Sequence, residues 1–108
     1  MTKTSIRIIR RLAETFRWRV YIVECADGSL YTGISTDPDR RFAQHKAGKG
    51  AKYFRAHPAH RLLWYNRKGY SRSEASSMEA MIKKWTRETK IKFLKRHNVS
   101  LSSQPTKP

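Results

Sequence analysis

Residues 18–33 read WRVYIVECADGSLYTG, and the way this stretch folds decides the architecture of the chain. A run rich in Val, Ile, Tyr and Trp extends from Trp18 to Cys25, the turn pair Asp27-Gly28 follows, and a second run goes from about Ser29 to Ile34. β-Branched and aromatic residues suit a pleated surface and Asp-Gly suits a tight reversal, so the stretch predicts a β-hairpin. Strand side chains alternate between faces, so the loop length decides which residues share one. A two-residue loop, Asp27-Gly28, pairs Ala26 with Ser29 and sends Tyr21 and Tyr31 to opposite faces. A three-residue loop, Ala26-Asp27-Gly28 with Gly28 left-handed, pairs Cys25 with Ser29, sets Tyr21 opposite Gly33 and Tyr31 opposite Val23, and puts both phenols on one face. Val20, Ile22, Leu30, Thr32 and Ile34 then form the apolar, core-facing side.

Outward from the hairpin, Asp37-Pro38 supplies an N-cap and a proline at the first helical position, opening a helix that carries Arg41, Phe42 and His45 and ends near Gly48. The following AGKGAKYFRAHPAH has glycines, a proline and no acid, and predicts a basic loop. RLLWYN, residues 61–66, predicts a third strand. Ser71 and Glu74 form a capping-box pattern ahead of an apolar stripe of Ala75, Met78, Ile82 and Trp85. Thr86 is the expected cap of a last helix bearing Ile91 and Leu94. The expected fold is α+β, a small three-stranded sheet with a β-hairpin, flanked by helices. Residues 1–17, with Arg7, Arg10, Arg11 and Arg17 against one acid and with Ile6, Ile9, Ala13 and Phe16 at helical spacing, predict a basic amphipathic extension; transit peptides share that composition. The main domain is expected over 18–97. Residues 98–108, polar with two prolines, predict a flexible C-terminal tail.

The 108 residues suffice for one modest core. Lysine and arginine number 24 against 8 acids, a formal charge of +16, so a polyanionic partner is expected. No apolar run is long enough to span a membrane, and aromatics interleaved with the cations favour nucleic acid over lipid. Cys25 is the only cysteine. It permits no internal disulfide, fits a reducing compartment such as the cytoplasm, and at mid-strand is expected to be a small core residue.

Single residues here have bland readings. Strand tyrosines usually pack, and Arg41 could be a solvated helix arginine like its neighbour Arg40. His57 and His60 lack the grouped partners of a zinc site and fit a loop near nucleic acid. Glu79 stands at the edge of the Ala75–Met78–Ile82 stripe, where a carboxylate needs a cation, either a nearby lysine or a divalent metal. Five residues taken in order say more: Tyr21, Tyr31 ten residues on, Arg41 ten further, His45 one helical turn after that, and Glu79 on a later helix.

That ordered set, over residues 18–97, resembles the GIY-YIG endonuclease superfamily, above all its small stand-alone bacterial members and the nuclease domain of the structure-specific endonuclease that cuts branched DNA. The first tripeptide reads Arg19-Val20-Tyr21 in place of Gly-Ile-Tyr, and the second reads Tyr31-Thr32-Gly33. Some relatives use a late asparagine, but Ile91 stands twelve residues beyond Glu79.

The resemblance implies a metal-dependent endonuclease that hydrolyses phosphodiester bonds in DNA, in repair or recombination, with one Mg²⁺ or Mn²⁺ on Glu79. Water is then the nucleophile, Tyr21 the first choice of general base, and Tyr31 and His45 its assistants. Arg41 binds the scissile phosphate, and Gly33, having no side chain, provides clearance for the substrate backbone. Lys46, Lys49, Lys52, Arg55, Lys83 and Lys84 are the candidate phosphate contacts, gripping without reading sequence. The rival expectation is a non-catalytic basic module for DNA or structured RNA on the same scaffold, and a third is a subunit that needs a protein partner for activity.

Overall fold

The computed structural model describes residues 15–101. The expected extension over 1–17 therefore lies almost wholly outside the described residues, as do 102–108. The strands are β1 (Arg19–Cys25), β2 (Leu30–Ser35) and β3 (Ala59–Tyr65), and the helices are α1 (Pro38–Lys46), α2 (Tyr53–Ala56), α3 (Arg72–Lys83) and α4 (Arg87–Arg96). The sheet is antiparallel in the order β2-β1-β3, and the chain is an α+β domain.

The hairpin takes the three-residue register. Gly28 N–H donates to the Cys25 carbonyl at 2.9 Å, Cys25 N–H to Ser29 at 2.9 Å, and Gly28 sits at φ +85°, where a side chain would be strained. Tyr21 pairs with Gly33 and Val23 with Tyr31. Asp27 braces the turn by accepting from the Ser29 amide and hydroxyl.

β1 is the central strand and is buried from Val20 to Cys25, which explains its nearly unbroken apolar sequence. One face, with Val20 and Ile22, packs against Leu63, Ala75 of α3, Ile82 of α3 and Leu94 of α4. The other, with Tyr21, Val23 and Cys25, meets Phe42 of α1 and Phe54 of α2. Cys25 is thus the small core residue expected of it. A bulge in β3 adjusts the fit: Ile22 pairs with Trp64 but Val23 with Leu62, so Leu63 is the extra residue and both it and Trp64 join the first cluster.

The helix starts follow their sequence signals. The Asp37 carboxylate accepts from Arg40 N–H ahead of Pro38, Ser71 and Glu74 close a reciprocal capping box, and Thr86 accepts from Thr89 N–H. Three expectations are corrected. The basic loop after α1 contains the short helix α2, anchored by buried Phe54. β3 begins at Ala59, ahead of the expected Arg61. The tail does not start at Asn98: Val99 N–H donates to the Leu94 carbonyl at 2.9 Å across a left-handed Asn98 (φ +60°), and Leu101 is 7 % exposed within the first cluster. Two apolar residues in a polar segment were enough to close the core once α4 delivered them to it.

Leu101→Ala should therefore destabilise the fold by about 2–4 kcal/mol, within the range for emptying a buried leucine site. Exposed Met81→Ala should cost less than about 0.5 kcal/mol. Urea denaturation of the two variants checks the contrast.

Candidate active site

Because β1 and β2 share the three-residue register, Tyr21 and Tyr31 project from one face as diagonal neighbours, with ring centroids 6.2 Å apart. Tyr21 leans across to β2 over Gly33. A Cβ on Gly33 would meet Tyr21 Oη at 2.6 Å and Cζ at 2.7 Å. The clearance at Gly33, expected for substrate, is thus filled by the Tyr21 phenol; the glycine makes room for the Tyr21 side chain. Tyr21 is 1 % exposed. Tyr31 is partly exposed and rests against Phe54 at 4.7 Å and Tyr53 at 5.3 Å.

Helix α1 brings two further groups from consecutive turns. His45, buried beside Phe54 at 4.2 Å, lies 2.8 Å from Tyr21 Oη through Nε2 and accepts the Ala51 N–H on Nδ1 at 3.2 Å. Arg41 is half-buried, donates to Gln44 Oε1 at 3.0 Å, and is close enough to the Tyr21 hydroxyl to favour its charged form. Burial, reinforced by the Arg41 guanidinium, holds the His45 pKa down at about 4, so the ring is neutral at physiological pH. The Tyr21 phenol is pushed well above its ordinary value, chiefly by burial and then by Tyr31 and Glu79, with Arg41 pulling the other way.

Glu79 arrives from the opposite layer. Its helix buries Ala75 and Ile82 against the other face of the sheet, and β2, along which α3 packs, is an edge strand. Glu79 stands at the border of that stripe, and its negative field is felt at Tyr21. Glu79 is partly buried and pairs with Lys83 Nζ at 3.5 Å, one turn on. Among the described residues no three His, Cys, Asp or Glu side chains cluster as a metal cage. A single half-buried carboxylate beside a cationic site suits a hard ion that keeps waters and takes phosphate oxygens from a substrate, as Mg²⁺ does. Glu79 fits that role and a closed structural site does not.

The expected phosphate contacts differ in what they face. Lys46, Lys49, Lys52, Arg55 and Lys84 are exposed, whereas Lys83 is turned to Glu79. His57 is a tie rather than a free loop residue: it donates to Asp27 of the hairpin turn and stacks on Tyr53 at 4.3 Å, while His60 is exposed. The residues that sequence reasoning missed are Gly50, Ala51, Tyr53 and Phe54. Their only signal was a glycine-rich, aromatic segment, which reads equally as a solvated loop.

Two phenols on adjacent strands, a guanidinium and imidazole one turn apart and a carboxylate from the opposite layer make up the candidate site, and the fold that presents them is of the GIY-YIG type. The GIY-YIG catalytic domain matches residues 17–92, and the chain belongs to that family of nuclease domains. It is 46% identical over 78 residues to a UPF0213 protein of Streptococcus agalactiae, covering 72% of this chain and 88% of that protein. To a UPF0213 protein of Haloquadratum walsbyi it is 51% identical over 71 residues, 66% of this chain and 79% of the relative. The solution NMR structure of a protein from E. faecalis is 40% identical, with a TM-score of 0.49 over 74% of this chain and 84% of that one.

The buried neutral His45 links stability to acid. Its folded pKa of about 4 lies below the ordinary 6.5, so its contribution is intact above pH 6.5 and is lost as pH falls through about 4, because the unfolded chain takes up the proton first. Between those limits the wild type should lose roughly 1–3 kcal/mol more than His45→Gln. Denaturant titrations at a series of pH values measure the difference.

Proposed function

We propose that this protein is an endonuclease that hydrolyses phosphodiester bonds in DNA with one divalent ion, Mg²⁺ or Mn²⁺, held by Glu79 and the substrate. The observation that carries the reading is the set of groups converging on Tyr21 Oη: His45 Nε2 at 2.8 Å and the Arg41 guanidinium, with the Glu79 field beyond. A buried packing tyrosine needs one hydrogen-bond partner, which His45 alone would supply, and has no use for a guanidinium and a carboxylate field as well.

Tyr21, as the phenolate, takes the proton from the attacking water as the water oxygen bonds to phosphorus, and the bond to the leaving oxygen breaks on the far side. Two donors, His45 and Arg41, stabilise the charge Tyr21 must carry as a base. Arg41 also faces the phosphate, where it offsets the extra negative charge of the transition state. Tyr31, the more exposed phenol, packs beside both rings and contributes the second hydroxyl. Glu79 would hold the ion, which would supply charge stabilisation for the leaving oxygen, and its charge would offset the Glu79 field that opposes ionisation of Tyr21.

The exposed cations from Lys46 to Arg55 and Lys84 grip flanking phosphates, a sequence-neutral contact suited to recognition of DNA structure such as nicks or branches in repair or recombination. No helix among the described residues is long and apolar enough to cross a membrane. The cytoplasm, where DNA is at hand and the Cys25 thiol stays reduced, is the compartment that suits this activity. One observation favours the rival, a binding module without catalysis: Lys83 already answers the Glu79 charge.

Glu79→Gln separates the two. On a panel of labelled nicked, branched and duplex DNAs and RNA with Mg²⁺ or Mn²⁺, the variant should lose cleavage by about a hundredfold or more, the scale of several kcal/mol of charge stabilisation, and keep its DNA affinity. Equal cleavage by the variant and the wild type would overturn the assignment; absence of cleavage in the wild type on every substrate would leave the binding module.

The raised Tyr21 pKa also sets a sign. Below that pKa the fraction of base grows with pH, so kcat should climb up to about tenfold per pH unit above neutrality, a rise that Tyr21→Phe should abolish. Neutralising Lys49 and Lys52 should weaken binding to all sequences alike and lower the salt slope by roughly one for each phosphate no longer neutralised.

A further inference from the structure

Gly50 and Ala51, between α1 and α2, press their backbone onto the His45 imidazole. A Cβ on Gly50 would lie 1.9 Å from His45 Nδ1 and 2.8 Å from Cε1, so no residue but glycine lets the chain pass there undisturbed. The next amide, Ala51 N–H, is thereby aimed at Nδ1, 3.2 Å away. The ring cannot swing from this contact, since it is 2 % exposed and lies against Phe54. A neutral imidazole carries one N–H and offers one lone pair. With Nδ1 receiving the Ala51 amide, the proton belongs to Nε2, and Nε2 faces Tyr21 Oη at 2.8 Å.

Resting on the endonuclease reading above, we infer that the Gly50-Ala51 backbone is a positioning element of the active site, which holds His45 as its Nε2–H tautomer and so makes the histidine a donor to Tyr21. The consequence is directional. In the opposite tautomer Nε2 would accept the phenol proton, and ionising Tyr21 would create an imidazolium beside it. In the tautomer held here Nε2 has no lone pair to offer, so the Tyr21 proton points away from the histidine, which cannot be the group that accepts it. His45 N–H meanwhile stays in place to bond the phenolate, a charge-assisted contact stronger than the neutral one it replaces. His45 thus steadies the base instead of serving as its relay.

The tautomer is visible without substrate or metal. Long-range ¹⁵N–¹H spectra of the whole chain at neutral pH should show His45 Nδ1 with the shift of an unprotonated ring nitrogen and Nε2 with that of a protonated one. In Tyr21→Phe, which removes the acceptor but keeps the ring, the pattern should persist, because the backbone sets it. In Gly50→Ala, and independently in Ala51→Pro, which deletes the N–H, the single-tautomer pattern should disappear; Ala51→Ser, which retains the amide, should preserve it. A protonated Nδ1 in the wild type would overturn the inference, as would a pattern that follows Tyr21 and ignores both backbone variants. Should one backbone variant fail to fold, the other and the Tyr21→Phe comparison still decide. The spectra stand apart from activity: a chain that cuts nothing but shows this pattern refutes the endonuclease reading alone, and a chain that cuts DNA with the other tautomer refutes this inference alone.

Discussion

Everything at the site depends on the parity of one turn. With Gly28 in the left-handed region and Ala26-Asp27-Gly28 as the loop, Tyr21 faces Gly33 and both phenols rise from one side of the sheet. One residue fewer would carry Tyr31 to the α3–α4 side and leave Tyr21 alone. The same parity puts a glycine where the Tyr21 ring must cross β2, so the turn conformation, the strand pairing and the packing of the phenol support one another. Asp27 serves this turn twice, by capping Ser29 and by holding His57, which in turn stacks on Tyr53 of α2. The hairpin turn and the α2 segment are thereby tied through Asp27 and His57.

Around Tyr21 the electrostatic influences are opposed and unequal. Burial, the second phenol and the Glu79 carboxylate favour the neutral form, while Arg41 favours the charged one. The chain alone leaves Tyr21 protonated at neutral pH. On the proposed mechanism, a positive charge delivered to Glu79 would remove one of the opposing influences, linking cation binding to the ionisation of Tyr21 through the field of one carboxylate. Glu79 is carried by α3, which packs on the far face of the sheet along its edge strand β2, and its field is nonetheless felt at Tyr21.

The two sides of the sheet divide the labour. The larger cluster, closed by α3, α4, Val99 and Leu101, carries most of the apolar packing and carries Glu79 on its border. The smaller one is built of aromatic rings and is also the site wall, with Tyr31, His45, Tyr53 and Phe54 in mutual contact. Rigid rings locked against one another keep the imidazole and the phenols in register at a low entropic cost, since each has few torsions to lose.

Local chemistry was legible in the chain itself. Turn residues, caps and alternation depend on neighbours within a few positions, so Asp27-Gly28, Asp37-Pro38, the Ser71–Glu74 box and Thr86 each marked an element correctly, and the order of Tyr21, Tyr31, Arg41, His45 and Glu79 marked the family. Of the two hairpin registers that the sequence allowed, only the folded strands selected one. The tertiary structure alone also decided that Gly33 makes room for Tyr21, that Leu101 belongs to the core, and that the Gly50-Ala51 backbone meets His45. Each of these is a contact between segments whose separation in sequence says nothing of their separation in space. Such contacts follow from how helices pack on a particular sheet, a property of the assembled layers that no short window of sequence contains.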